Sequence, residues 1–257
     1  MRVLFIGDIV ASPGRKKVKE VLPGFIKDHS IDVVVGCADN LSHGRGAKAT
    51  QIAEMMEAGI NFFTGGDHIF HNREFEQEIE DLPVIRAGNY PGEAPGKGYE
   101  LFDLGDKGYL LLINLLGRTS FNKSASYLED PFTTTDRILD EFKDKQNVFK
   151  LVDFHAEATS EKNALAFYLD GRVDAVVGTH THVPTCDNRT LPGGTMFVTD
   201  VGMTGNIDSI LGVKVDIIVN SFLTARPQKF DWEKTGATAF RSVILDSVTK
   251  TITRLDD

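Results

Sequence analysis

The chain has 257 residues, 41% hydrophobic and 25% charged, which is the material of an ordinary globular protein with one large core or two small ones. A formal net charge of −9 argues against stable binding to a nucleic-acid duplex, which takes a basic surface, yet leaves room for a small phosphorylated substrate held by metal ions. No apolar run approaches the ~18 residues of a membrane span, the apolar start is too short for a signal peptide, and two cysteines, Cys37 and Cys186, form no disulfide framework, so the expected compartment is the cytoplasm.

In chain order, residues 2–7 read as a buried strand ending at Asp8. Ser12-Pro13 opens a helix, with Ser12 as N-cap and Pro13 at the first helical position, that runs to about His29. Residues 31–36 form a second strand, ending at Ala38-Asp39-Asn40. A glycine-punctuated loop through His43 leads to a helix over about 47–58. The third strand spans 60–64 and ends at Gly65-Gly66-Asp67-His68, followed by a short helix over 73–79 and a short strand over 83–87. This strand–helix alternation predicts parallel crossover units.

Residues 89–98, rich in Gly and Pro, read as loop, and 99–104 with 109–115 as a β-hairpin. Asp130-Pro131 opens a helix to about Phe142, 148–153 is a buried strand ending at Phe154-His155, and 160–169 is a helix. The apolar run 173–177 is a strand that delivers Gly178-Thr179-His180-Thr181-His182. Two imidazoles two residues apart in extended chain face one point beyond the strand end. Residues 195–199 form a strand ending at Asp200, 213–223 a helix, and 238–245 with 251–255 a closing hairpin. Parallel strands followed by hairpins predict two packed sheets with helices outside: an α/β fold layered as a four-layer α/β/β/α sandwich. It is expected as a single domain over 1–257, with loops around 69–98 and 205–235 forming a small cap. Residues 121–130 are a second candidate for a lid or a contact between copies.

Asp8, Asp39 with Asn40, Asp67 with His68, His155, and His180 with His182 all fall just after these strands. Sites in open α/β sheets lie beyond the carboxyl ends of the strands. Three carboxylates, one amide and four imidazoles exceed what one tetrahedral zinc needs. The set suits two divalent ions sharing a carboxylate, the arrangement that clamps attacking and leaving oxygens in phosphoryl displacement. Mixed N/O ligation without thiolate points to manganese, iron or zinc. Cys37 and Cys186 read as small apolar side chains.

Gly65-Gly66-Asp67-His68 resembles the Gly-Asn-His motif of calcineurin-like metallophosphoesterases, and Gly178 to His182 resembles their Gly-His-x-His. More narrowly, the chain resembles the YmdB-like family of bacterial metallophosphoesterases. The segments that carry the likeness are Gly7-Asp8-Ile9-Val10 with Ser12-Pro13-Gly14-Arg15, Asp39-Asn40 with His43-Gly44, Pro95 to Gly98, Asn114-Leu115 with Gly117-Arg118, Asp153 to Lys162, Gly178 to Val183, and Thr199 to Gly205. The resemblance implies a dinuclear site of iron or manganese, with zinc also compatible, and hydrolysis of phosphodiesters, 2′,3′-cyclic nucleotides among them. Carried over by position, Asp8, Asn40 and His182 take one ion, Asp67, His155 and His180 the other, and Asp39 bridges them. A hydroxide shared by the ions is the implied nucleophile, and His68 is the proton donor to the departing oxygen.

Asp39 stands where the family usually has Glu, and Asp67 where it usually has Asn. The second departure lowers the net charge of a two-ion site from about +2 to about +1, which implies tighter metal binding and a weaker pull on phosphate. Arg118 is a candidate to grip phosphate, His43 to orient a ligand, and Asp153 to orient a histidine. Asp200 has no part in the ligand set, and self-association is left open. The alternatives to a phosphodiesterase are a phosphomonoesterase and a regulatory or sensor protein with a metal site and little activity.

Overall fold

Val3, Leu4, Phe5 and Ile6 alternate between two apolar environments, and the layering of the molecule follows from that alternation. The computed structural model describes residues 1–119 and 127–257. Its first half runs β1 (Arg2–Ile9), α1 (Ala11–Asp28), β2 (Val33–Cys37), α2 (Ala49–Glu57), β3 (Phe62–Thr64), α3 (Phe75–Glu78), β4 (Val84–Ile85), β5 (Tyr99–Asp103) and β6 (Tyr109–Leu116). Then come α4 (Pro131–Glu141), β7 (Val148–His155), α5 (Thr159–Tyr168), β8 (Ala175–Thr179), β9 (Arg189–Thr190), β10 (Met196–Val198) and β11 (Met203–Asn206). The chain closes with α6 (Val215–Thr224), β12 (Thr238–Ala239), β13 (Arg241–Asp246) and β14 (Thr251–Asp256). Among the described residues no helix is long and apolar enough to cross a membrane.

One sheet holds β1, β2, β3 and β4 side by side and parallel. The far side of β1 is shared. Arg2 to Ile6 pair antiparallel with β13, while Asp8 and Ile9 pair parallel with β11. The second sheet has the order β5-β6-β7-β8-β10-β9, parallel from β6 through β10 and antiparallel at both edges. Val3, Phe5 and Val35 of the first sheet pack on Leu112, Leu151 and Val177 of the second. Leu4 and Ile6 face Val18 and Leu22 of α1 and Ile52 of α2, and Ile113 and Phe154 face Ile138 of α4 and Leu165 of α5. Strands covered on both faces explain the continuous apolar runs of the sequence. The architecture is the expected α/β/β/α sandwich, and the carboxyl ends of its two sets of parallel strands lie side by side.

Several local expectations are corrected. β1 and β7 run past their expected ends, so Asp8 and His155 are strand residues, and both are fully buried. Ser12 is not an N-cap: α1 begins at Ala11, with Val10 in the cap position and no side-chain cap. Pro13 still falls in the first turn, where a missing N–H is harmless. Asp130 does cap α4, accepting from the amides of Phe132 and Thr133 at 2.9 and 3.1 Å. β9 and β11 were not anticipated. Residues 121–126 of the segment read as a lid or copy contact lie outside the described residues.

Candidate metal centre

Each sheet contributes strand ends to one cluster. β1 brings Asp8, the turn after β2 brings Asp39 and Asn40, the turn after β3 brings Asp67 and His68, β7 ends at His155, and the loop after β8 carries His180 and His182. Gly66 makes the approach possible: a Cβ there would stand 2.5 Å from Asp39 Cγ and 2.6 Å from His155 Cε1. His180 and His182 are not in extended chain as the sequence suggested. Their φ angles are 97° and 64°, conformations that non-glycine residues adopt rarely and that cost of order 1–3 kcal/mol each. The loop so formed sends the two imidazoles to neighbouring points rather than to one.

His180 Nδ1 lies 3.1 Å from His155 Nε2 and 3.6 Å from Asp67 Oδ1, and His155 Nε2 lies 3.3 Å from Asp67 Oδ1. Asp39 Oδ2 is 3.6 Å from the same His155 nitrogen, and its other oxygen accepts the His68 amide at 2.9 Å. On the other side, His182 Nε2 lies 3.3 Å from Asn40 Oδ1, and Asp8 accepts the His180 amide at 3.0 Å. All seven expected ligands therefore meet in one cluster.

The chemistry of the donor set fits cations. His155 Nδ1 donates to Thr179 Oγ1 at 2.9 Å, because that hydroxyl donates onward to Asp153 at 2.8 Å. The outer nitrogen of His180 meets Glu157 at 3.2 Å, and His182 Nδ1 meets the Leu211 carbonyl at 3.2 Å. The Asn40 amide donates to the Gly44 carbonyl at 3.0 Å. With the outer proton of each of these three rings committed, a neutral ring has only its inner lone pair to turn toward the carboxylate and amide oxygens. Acceptors facing acceptors in a buried place call for positive charge between them.

In the metal-free protein the imidazoles supply part of that charge: burial lowers His180, but its hydrogen bond to Asp67 and the charges of Asp67 and Asp8 outweigh burial and raise it. Burial, reinforced by Asp67 and Asp8, holds the Asp39 carboxyl well above the ordinary range. Burial pushes Asp67 the same way but is outweighed by His155 and His180, which hold it below that range. Asp8 is likewise held down against burial by His182, His155 and the His180 amide. Burial lowers His68 to about 4 in spite of Asp67, with Arg45 adding to the shift, so the imidazole of the free protein is neutral at pH 7. The expected donor is therefore unprotonated before substrate arrives.

Two candidate residues are not brought in. Arg118 is 46% exposed and pairs with Asp130 at 3.7 Å. His43 is exposed and lines a neighbouring cleft with His71 and Trp232, and Gly44 takes the place beside Asn40. Other residues were missed or left without a role. Asp153 orients His155 through Thr179, as the sequence allowed, and burial raises its carboxyl to about 7. Lys162, buried in α5, donates to Asp200 and to the Thr179 carbonyl, each at 2.7 Å, and Asp200 accepts from the amide and hydroxyl of Thr181. That buried pair holds the loop of His180 and His182. Cys37 lies behind Asp8, its thiol 3.4 Å from the carboxylate and raised by burial, a neutral donor rather than a ligand. Burial together with the charges of Asp39 and Asp67 raises the Tyr90 phenol. A cavity of about 380 Å³ opens over Asp39, Asn40, His68, His180 and His182, and its far wall is apolar.

The model of one family, the YmdB-like proteins, matches residues 4–255. A Bacillus subtilis (strain 168) protein named 2′,3′-cyclic-nucleotide 2′-phosphodiesterase is 42% identical, over 96% of this chain and 91% of its own. The crystal structure of a hypothetical protein of Thermus thermophilus superposes with a TM-score of 0.92 at 41% identity, over 100% of this chain and 99% of that one. The crystal structure of a phosphatase of Mycoplasma pneumoniae superposes at 0.90 with 29% identity, over 100% of this chain and 93% of that one.

Proposed function

Because the chain belongs to the family of YmdB-like proteins, we propose that it is a metal-dependent phosphodiesterase that opens 2′,3′-cyclic nucleotides with two divalent ions, iron or manganese. One observation carries this reading: three imidazoles and Asn40, their outer donors committed elsewhere, converge with three carboxylates in one cluster. Asp8, Asn40 and His182 would hold one ion, Asp67, His155 and His180 the other, and Asp39 both. When bound, the ions would supply Lewis-acid charge at the phosphoryl group and make water nucleophilic near neutral pH.

The chain's own residues do the rest. Asp153 and Thr179 fix the tautomer of His155, Glu157 that of His180, and the Leu211 carbonyl that of His182. His68, on the cavity side of Asp67, gives a proton to the departing oxygen, which stays on the ribose in a cyclic substrate. It takes up that proton when the phosphate's negative charge arrives beside it, since burial keeps it neutral beforehand. The same reading makes 1–257 one domain acting in the cytoplasm, with loops around 69–98 and 205–235 as a small cap, of which the second lines the cavity.

The test is elemental analysis of freshly purified protein, with the same sample assayed on a 2′,3′-cyclic nucleotide, on bis-p-nitrophenyl phosphate and on p-nitrophenyl phosphate. About two metals per chain with turnover of the diesters is expected. Turnover of the monoester alone would make it a phosphomonoesterase. Metal without turnover would make it a sensor.

A further inference from the structure

The cavity over the candidate metal centre has two unlike halves. Its floor is carboxylate, amide and imidazole, and its far wall is Leu211, Ile218, Phe222, Phe230 and Trp232. α6 has no buried residue, Phe222 is 85% exposed and Phe230 41%. Apolar surface left in water beside a polar site marks a place where something apolar binds. Trp232 is fixed in this wall. Gly44 has φ +77°, and a Cβ there would stand 2.1 Å from the indole; Gly212 crowds it from another side. Arg45, the one lysine or arginine among the described residues lining the cavity, lies over the Phe230 ring at 5.3 Å.

We propose that this wall is the nucleobase subsite: the aromatic face formed by α6 and residues 230–232 receives the base of a nucleotide whose phosphate lies on the metal-site floor. The inference rests on the phosphodiesterase reading for its phosphate and goes beyond it in saying where the rest of the substrate goes. Three observations select a base as occupant. The wall and the floor belong to one cavity of about 380 Å³, the size of a small-molecule site rather than of a protein interface. The division into a charged end and an apolar end matches the division of a nucleotide. The wall presents aromatic and aliphatic side chains with no fixed array of hydrogen-bond partners, which is the chemistry of stacking, tolerant of base identity. The subsite is therefore expected to accept purine and pyrimidine nucleotides with modest preference.

Trp232 is the only tryptophan in the chain, so occupancy can be read without turnover. The protein, loaded with Mn²⁺, is titrated with adenosine 2′,3′-cyclic phosphate and, separately, with the 2′,3′-cyclic phosphate of 1-O-methylribose, which has no base. Saturable change in Trp232 emission is expected with the first and not with the second. Phe230→Ala and Phe222→Ala should each weaken that response and lower kcat/KM on the nucleotide roughly five- to a hundredfold, while changing kcat/KM on the base-free diester by less than about twofold. Equal losses on both diesters, or an emission change shared by both, would overturn the assignment. So would variants that change neither readout but shift the sedimentation coefficient, for the wall would then be a contact between copies. An emission change specific to the nucleotide in protein that hydrolyses neither diester would uphold the base subsite while removing the phosphodiesterase reading.

Discussion

Asp67 faces His155 and His180 while carrying a full negative charge where the Gly-Asn-His motif it resembles has a neutral asparagine. Removing that charge should be felt in two opposed ways. Asp67→Asn is expected to weaken metal binding roughly tenfold and to lower KM for a phosphodiester, since less negative charge then faces the phosphate. Metal titration and steady-state kinetics measure both, and a KM that rises or stays put would refute the charge argument. His68→Ala should lower kcat roughly 10²- to 10⁴-fold with metal content unchanged, and a loss of metal would make it a ligand instead. Asp8, Asp39, Asp67 and the histidines could be read from the sequence because each punctuates an apolar strand. Glu157 could not: it reaches the cluster from a loop, and nothing local in a loop records which distant group its side chain will meet. Arg118 was less legible, because an arginine after a strand reads alike whether it grips phosphate or pairs, as here, with Asp130.

Lys162 and Asp200 tie α5 and the end of β10 to the loop that carries His180 and His182, and both are fully buried. Deleting one partner strands the other's charge in the interior, a loss of about 3–5 kcal/mol. Lys162→Met should therefore lower Tm by roughly 6–20 °C. If the pair positions the ligands, metal affinity of the variant falls as well at temperatures where it is folded; unchanged affinity would make the pair a matter of stability alone. At this scale the sequence is a good guide to strands and helices with a long apolar rhythm and a poor one to short pieces. β11 is only Met203–Asn206, contains Gly205, and owes its strand character to pairing with β1 almost two hundred residues earlier, which leaves no local periodicity. The loop of His180 and His182 looked extended because spacing carries no information on the sign of φ.

For the whole molecule, the buried carboxyls set the response to pH. Burial, with Asp8 nearby, raises Asp153 to about 7, and burial with Asp67 and Asp8 raises Asp39 also. A carboxyl raised on folding binds a proton in the native state that the unfolded chain has already lost, so native stability falls as pH climbs. Asp153 should thus contribute a loss of Tm between about pH 4 and pH 7 in the metal-free protein, opposed by a gain from His68, which burial lowers to about 4 and which the unfolded chain protonates first. Differential scanning calorimetry of the protein beside Asp153→Asn isolates the carboxyl's share: the variant's Tm is expected to gain on that of the unaltered protein as pH climbs from about 4 to about 7. A difference that stays constant across that range would contradict this. The shared edge of β1 has another consequence, in the order of synthesis. Every candidate ligand has been made by residue 182, but the strand that holds Asp8 acquires its last neighbours only at β11 and β13, the latter reaching 244 residues from Arg2. At roughly 5–20 residues per second the first strand waits some 10–50 s for them. The last support of the strand that holds Asp8 is thereby tied to synthesis of β11 and β13, and a product ended before them has every candidate ligand but a first strand paired on one side only.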